Sequence, residues 1–498
     1  MSPAAFSLRQ HILVNLLFFL AMIGGLVMGR ALPVDFFPDI SFNAAAVTTE
    51  WTGASADEIE RLVTTKLEEE IKNVAGIKEM RSLSHSDVSE INIDWQETLS
   101  DDEYDRAVAN LRAAIERVGD LPDDAEEPYV RELSVAEVYA SLVIAVLDRG
   151  GVGEAGLREV AIDLRDRLAD LPGVRRVTPL GIRDREVRVR VDRDALAAVD
   201  LTLAEVAGTI RSNARNVPAG SMVEASGETV VRAVGDVEDL AALGATVVKK
   251  NPDGAHVLLR DLATVELDFE KQRLIGRYNG EDSAMLEIAK EKEADLLEVV
   301  DTVRSFLESR RPYLPEGVEV AVTFDESQYV TSRLDALGNN LLSGIVVVVL
   351  ILWLTLGFRN ALLAVAAIPF CYLTAIFLFP AMGITLNSLS IVGMILVSGM
   401  LVDDAIIVLE NIYRHIETGQ PVAEAIVTGA DEVKWPVIAS VTTTIAAFSP
   451  LLLIVGTSGE FMSILPKTVI VCLAASLIEC LFVLPAHYLH YGSRGHVT

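Results

Sequence analysis

Hydrophobic and polar positions divide this chain into two kinds of segment. Six stretches, approximately 12–28, 340–356, 361–382, 386–409, 437–455 and 466–484, are apolar enough and long enough to cross a bilayer. The first could be taken for a signal peptide. Its charged flank is thin, however, and Met28-Gly29-Arg30-Ala31-Leu32-Pro33 lacks a small-x-small cleavage pattern, so an uncleaved anchor is expected. Basic residues near the span ends set the orientation. With the N-terminus in the cytoplasm, Arg9, Arg359, Arg414, Lys434 and Arg494 all fall inside, and the short outer loops hold only Lys467. The predicted topology is one span, about 300 extracytoplasmic residues, then five spans.

The polar region between the first two spans repeats itself. Residues 67–78 and 164–175 both read as a helix, a glycine stop (Gly76, Gly173) and a strand. Each copy has a second helix, 107–118 or 296–309, running into a Leu-Pro turn at Leu121-Pro122 or Leu314-Pro315. Strand patterns at 44–51, 90–95, 141–147, 284–289 and 318–324 flank them, giving a βαββαβ unit twice: a small antiparallel sheet with two helices on one face. Gly76 to Pro122 is 46 positions whereas Gly173 to Pro315 is 142, so the second copy carries an insertion of about 96 residues. Surface connections tolerate such insertions. The insert has its own strand (186–191), helix (203–212) and strand pair (229–233, 257–259).

Composition sharpens this division. The 498 residues are 51% hydrophobic, yet the formal charge is −29 and mean hydropathy is +0.37. Apolar spans joined to a strongly acidic soluble part account for both values. The acidity excludes a nucleic-acid partner, which needs a basic face. Cys371, Cys472 and Cys480 lie in apolar runs without a CxxC pattern and read as small apolar fillers. Met80, Met222 and Met285 are scattered and suggest no soft-metal site. There is no nucleophile–base pair, phosphate loop or metal cluster, so an enzyme is not expected.

Candidate chemistry is concentrated in the fourth span. Asp403 and Asp404 sit side by side past the midpoint of an otherwise apolar run that continues to Glu410 and Asn411. An ionised carboxylate in a membrane helix costs several kcal/mol, so such groups face a bundle interior and mark an ion path. Crowding and desolvation favour the protonated form, as a proton carrier requires. The interiors of spans two to six, drawn as above, hold no Lys or Arg to stabilise the deprotonated state, which points to a cation supplied by another chain or half. Glu479 lies in the sixth span at about the depth of Asp404. It could couple to the pair, but an interfacial role near His487 and His490 is the favoured expectation. Those histidines, past Pro485, read as solvated surface residues. Gly393, Ser398 and Gly399 suit close helix packing, with or without motion.

With these features in view, the chain resembles the first half of resistance-nodulation-division (RND) exporters of the hydrophobe/amphiphile-efflux type. The resemblance rests on Leu32-Pro33-Val34-Asp35-Phe36-Phe37-Pro38, on Val257-Leu258-Leu259-Arg260-Asp261-Leu262-Ala263 in the insert, and on Gly399 to Asn411, which is similar to the family's proton-relay motif. It covers essentially the whole chain.

It implies an anchor (1–30), a first porter subdomain (31–131), a second porter subdomain (132–179 and 273–330), a docking or funnel insert (180–272) and a five-helix bundle (331–498). It also implies proton antiport through Asp403 and Asp404 and no cofactor beyond the proton gradient; Glu479 and Glu410, carboxylates within the apolar spans, are candidate accessory relay groups. The partners it implies are a second half bearing the relay lysine, a homotrimer, a periplasmic adaptor and an outer-membrane channel. The setting is the bacterial inner membrane, and the substrate a small molecule.

Two departures stand out. The strand regions where drug pumps place phenylalanines offer Tyr139 and Leu180 as candidate substrate-path residues, and the 218–228 loop is short for a docking arm. The competing expectations are a proton-coupled accessory to protein export or envelope assembly with the same fold, and a structural subunit whose partner carries the active relay.

Overall fold

The computed structural model describes residues 2–38, 40–97, 99–213, 217–224, 227–233, 239–250, 255–270 and 274–493, with backbone alone at 101, 136–137, 217–224 and 227–233. Arg494, one of the basic residues used for orientation, lies outside the described residues.

The two soluble repeats fold into sheets of the same strand order. In the first, β1 (Ser41–Glu50), β2 (Ile77–His85), β3 (Val88–Trp95) and β4 (Tyr129–Ser134) form an antiparallel sheet ordered β2-β3-β1-β4. In the second, β5 (Leu142–Asp148), β6 (Val174–Leu180), β7 (Glu281–Lys290) and β8 (Val318–Asp325) take the matching order β6-β7-β5-β8. In each, helices cover one face. Tyr104, Val108, Leu111 and Ile115 recur at helical spacing on Asp101–Glu116 and bury against Ala45, Val47, Ile91 and Ile93. Leu157, Ala161, Leu164 and Leu168 on Gly153–Ala169 do the same against Ile144, Val146, Leu286 and Ile288. The paired glycine stops have positive φ, +82° at Gly76 and +79° at Gly173. A side chain at Gly173 would also meet Val299 at 2.7 Å.

The insert leaves the second sheet after β6 and returns before β7. Arg185–Val191 pairs with Ala263–Phe269, and Val247–Lys250 with His256–Leu258. Leu196, Val206, Leu243, Leu259 and Leu262 form its own small core. Gly227–Ala233, which contains the expected strand 229–233, pairs antiparallel with Val217–Glu224, a strand within the segment expected as a short loop.

At the β5 turn, the Asp148 carboxylate accepts from the backbone N–H groups of Gly150 (3.2 Å), Gly151 (2.7 Å), Val152 (3.0 Å) and Gly153 (2.9 Å), at the start of Gly153–Ala169. Partial burial raises its pKa, but these four donors outweigh that and hold it below the ordinary carboxylate value. A depressed folded pKa contributes stability above the unfolded value, near 4, and loses it as pH falls through the folded pKa. Asp148→Ala is therefore expected to lower the stability of the soluble region at pH 7 by about 1 kcal/mol, the modest value reflecting solvent exposure, with the deficit closing below about pH 4. Thermal melts across pH check both signs.

Six helical segments are long and apolar enough to cross a membrane: His11–Ala31, Glu326–Leu356, Phe358–Leu378, Ser388–Glu417, Val422–Leu453 and Gly456–Tyr491. Several are longer than their apolar cores. The second begins directly after β8, where the Asp325 side chain accepts from the Ser327 backbone N–H at 2.9 Å and caps it. The sixth passes Pro485, expected to end it, because a π-turn at Glu479–Val483 precedes a last helix, Leu484–Tyr491, that accepts the proline near its start. His487 Nε2 consequently lies 3.1 Å from Asn15 Oδ1 of the first span, a half-buried contact and not a solvated position.

The soluble region is tied to the bundle through the residues after the anchor. Val34–Asp35 pairs in parallel with Leu386–Asn387. The Val34 N–H donates to Asp295 Oδ2 at 2.9 Å, and Lys290 on β7 forms a buried 2.8 Å ion pair with Asp35.

Candidate functional site in the fourth span

The fourth span runs through Ser388–Val397 and Met400–Glu417, and Ser398 and Gly399 between them keep helical backbone dihedrals. Ser398 Oγ donates to the Ile395 carbonyl at 2.7 Å, and Gly399 is a weak helix former, so the helical hydrogen-bond ladder is locally loosened at Ser398-Gly399. The aspartates follow within one turn of it. They are roughly 23 Å along the helical rise from Ser388, in the middle of the span.

Successive helical residues point about 100° apart, and this separates the two aspartates. Asp404 turns inward and is 5% exposed, its Oδ2 accepting from Ser476 Oγ at 3.0 Å. Asp403 turns outward and is exposed on the chain's own surface. It belongs to a stripe at three- and four-residue spacing with Val392, Leu396, Gly399, Ile407 and Glu410. The adjacent carboxylates therefore have different surroundings.

Glu479 has the opposite environment from the interfacial one expected. It is 3% exposed, and its charge is felt with that of Asp404. The sixth span packs against the fourth so closely that a Cβ at Gly393 would meet Thr468 at 3.0 Å. That contact places Ser476 and Glu479, farther along the sixth span, beside Asp404. Gly393 is thus a close-approach position, whereas a Cβ at Gly399 would meet nothing within 4 Å. Ser476 escaped the sequence reading. Its signal was a hydroxyl three residues before Glu479, on the same helix face.

The expectation of no lysine inside the later spans is corrected, because the helices extend beyond their apolar cores. Lys434 lies within Val422–Phe448 and pairs with Asp431 at 3.1 Å. Lys467 lies within Gly456–Ile478 instead of in an outer loop. Its neighbour Thr468 is level with Gly393, which is eleven residues, roughly 16 Å, from Asp404.

Toward the cytoplasmic end, Asn411 Nδ2 donates to the Gly429 carbonyl (2.7 Å) and to Glu432 Oε2 (3.1 Å). Glu432 also meets Arg414 (3.1 Å) and His415 (2.9 Å). This network locks the fourth span to the fifth.

The two proposed substrate-path residues are not brought together. Tyr139 is half-exposed beside Phe37, with ring centroids 5.7 Å apart, in a small cleft with Asp35, Lys290 and Glu326. Leu180 is half-buried at the far end of β6 opposite Met285.

Comparison with known proteins agrees with this architecture. The chain is 28% identical to the solvent-resistant pump membrane transporter SrpB of Pseudomonas putida, over 97% of its own length and 46% of that protein. It is 27% identical to the toluene efflux pump membrane transporter TtgE, also of Pseudomonas putida, over 97% and 47%. The chain spans about half the length of the curated relatives it matches. The AcrB/AcrD/AcrF family model matches residues 3–488, and this chain, a multi-pass inner-membrane protein with a large soluble domain, belongs to that family of RND efflux permeases.

Proposed function

We propose that the chain is the N-terminal half of a proton-motive-force-driven export pump, with Asp404 and Asp403 carrying the proton that powers each cycle. The observation that carries this reading is the placement of Asp404 in the middle of the fourth span, enclosed with Ser476. When protonated, Asp404 is neutral and tolerates its apolar surroundings. When it releases the proton, its charge needs a cation or a polar contact. The loosened hydrogen-bond ladder at Ser398-Gly399 lets the turn bearing Asp404 adjust between the two states.

Asp403 and Glu410 define the partner. Their stripe would face lipid hydrocarbon if uncovered, at a cost of several kcal/mol for a charged group. A second polypeptide or second half covers it and supplies a Lys or Arg opposite Asp403. Glu410 sits two turns from Asp403 on that face and extends the polar contact.

Membership of the family supports the wider assembly: a homotrimer, joined through the 180–272 insert to a periplasmic adaptor and an outer-membrane channel. The relatives' names speak of organic solvents and toluene. Small apolar molecules are therefore the substrate class of this reading, with the two βαββαβ units as the porter. Cells expressing the complete assembly should extrude such a compound, and a protonophore should abolish the extrusion at constant ATP. Export that survives the protonophore would overturn the reading.

A further inference from the structure

The proton path so far uses Asp404 and Asp403, which are neighbours in sequence but differ in environment. Resting on that reading, we propose that Glu479 is a second proton-binding group of the pump, working with Asp404 through the Ser476 hydroxyl. The buried functional pair would then be Asp404–Glu479 across two spans, with Asp403 serving the partner face.

Three observations converge on Glu479. It is 3% exposed, and its Oε2 is sealed from solvent without accepting a hydrogen bond. A buried carboxylate oxygen left in that state is costly, and a bound proton removes the charge. Ser476 lies one turn earlier on the same helix face, and its hydroxyl already donates to Asp404 Oδ2 at 3.0 Å. Finally, a π-turn begins at Glu479 and runs to Val483. Such turns shift a side chain's direction out of the regular helical register and recur at functional sites.

The groups around this pair leave it without a cation. Asp404 acts on Glu479 from the fourth span, Cys371 lies near from the third, and Cys472 and Cys480 come from the sixth. Among the described residues, no Lys, Arg or His adds its charge to Glu479. Two close buried carboxyls with no counter-charge resist carrying two negative charges and titrate as one unit. The transfer balances simply. Once the Glu479 side chain turns to within hydrogen-bond distance of Ser476, its carboxyl gives its proton to Ser476 Oγ while the Ser476 proton passes to Asp404, so the serine is regenerated, Glu479 becomes the carboxylate and the net charge is unchanged.

Three variants of the complete pump test this, with membrane abundance measured for each. Glu479→Gln keeps the shape but cannot release a proton. It should cut proton-driven export on the order of tenfold and move the pH profile toward acid, since Asp404 loses a neighbour that opposes its ionisation. Glu479→Asp should restore part of the export and part of the profile. Asp404→Asn, the third, tests the reading on which the proposal rests.

Independently, wild-type membranes treated with dicyclohexylcarbodiimide, which modifies protonated carboxyls in apolar surroundings, should show an adduct at Glu479 that fades as pH rises. Glu479→Gln with wild-type export and pH profile would overturn the proposal. Should that variant fail to accumulate, absence of the carbodiimide adduct in wild type at every pH would overturn it equally. Loss of export in Asp404→Asn with a normal Glu479→Gln would sink this proposal alone, whereas normal export in Asp404→Asn would sink the proton-path reading beneath it.

Discussion

In the complete pump, Asp404→Asn is expected to reduce export to background while membrane abundance stays at the wild-type level. Asparagine preserves the size of the side chain and can still accept from Ser476, which now donates to Oδ2 at 3.0 Å. It cannot bind and release a proton. Removing a desolvated carboxyl leaves no unpaired charge behind, so stability should be unchanged or slightly improved. Asp403→Asn should also stop export, but by a different route, because that residue faces out of the chain. Its loss should weaken association with the covering partner as well. A purely structural role for Asp404 makes the opposite forecast: poor accumulation, with the surviving protein active. Export and quantitative blotting of the same membranes separate the two.

The second large effect is expected in the anchor. Gly25→Leu should detach the first span from the third and deplete the protein from the membrane. A Cβ built at Gly25 stands 2.1 Å from the backbone carbonyl oxygen of Leu373, and backbone cannot turn aside as a side chain can. Overpacking of this kind costs about 3 kcal/mol or more. The first span can ill tolerate that loss, since most of it is exposed on the chain's own surface and the close contact with the third span holds it. Gly24→Ala provides the control: the nearest atoms to its new Cβ belong to the Phe377 ring, which can swing. The measurement is membrane abundance and thermal stability in detergent. Wild-type behaviour of Gly25→Leu would show that the two helices can separate without harm.

Much of the architecture was legible because it rests on local signals. Glycine stops at Gly76 and Gly173, Leu-Pro turns and alternating strands marked two equivalent units, and the unequal spacing located the insertion. The matching strand orders of the two sheets are the three-dimensional counterpart of that repeat.

Span ends were less legible, because an apolar window stops where side chains become polar, although the helix need not. Residues 326–339 are polar enough to fall outside such a window, yet Val330, Leu334 and Leu337 keep the helical period and carry the second span down from β8. The same effect drew Lys434 into a helix that had been drawn too short and moved Lys467 from the edge of the sixth span into its interior.

At the site, the presence of a carboxylate pair was readable and its division was not. Asp403 and Asp404 differ only by one helical step, and which of them turns inward depends on where the sixth span packs. Glu479 was read toward the interface because His487 and His490 follow it in sequence. Its burial is set by tertiary contacts between distant segments, including Gly393 with Thr468, which no local pattern reports. Tyr139 and Leu180 were grouped only as residues of two strand regions. The sheet places them apart, because Leu180 lies opposite Met285 while Tyr139 falls beyond the start of β5.

The proton path is tested most directly by purified complete assembly in liposomes carrying an imposed pH gradient, with a pH-sensitive dye reporting its decay. Addition of an exported compound should accelerate collapse of the gradient in the wild type and leave it unchanged with Asp404→Asn. Substrate-dependent collapse of equal rate in Asp404→Asn would contradict proton movement through that carboxylate.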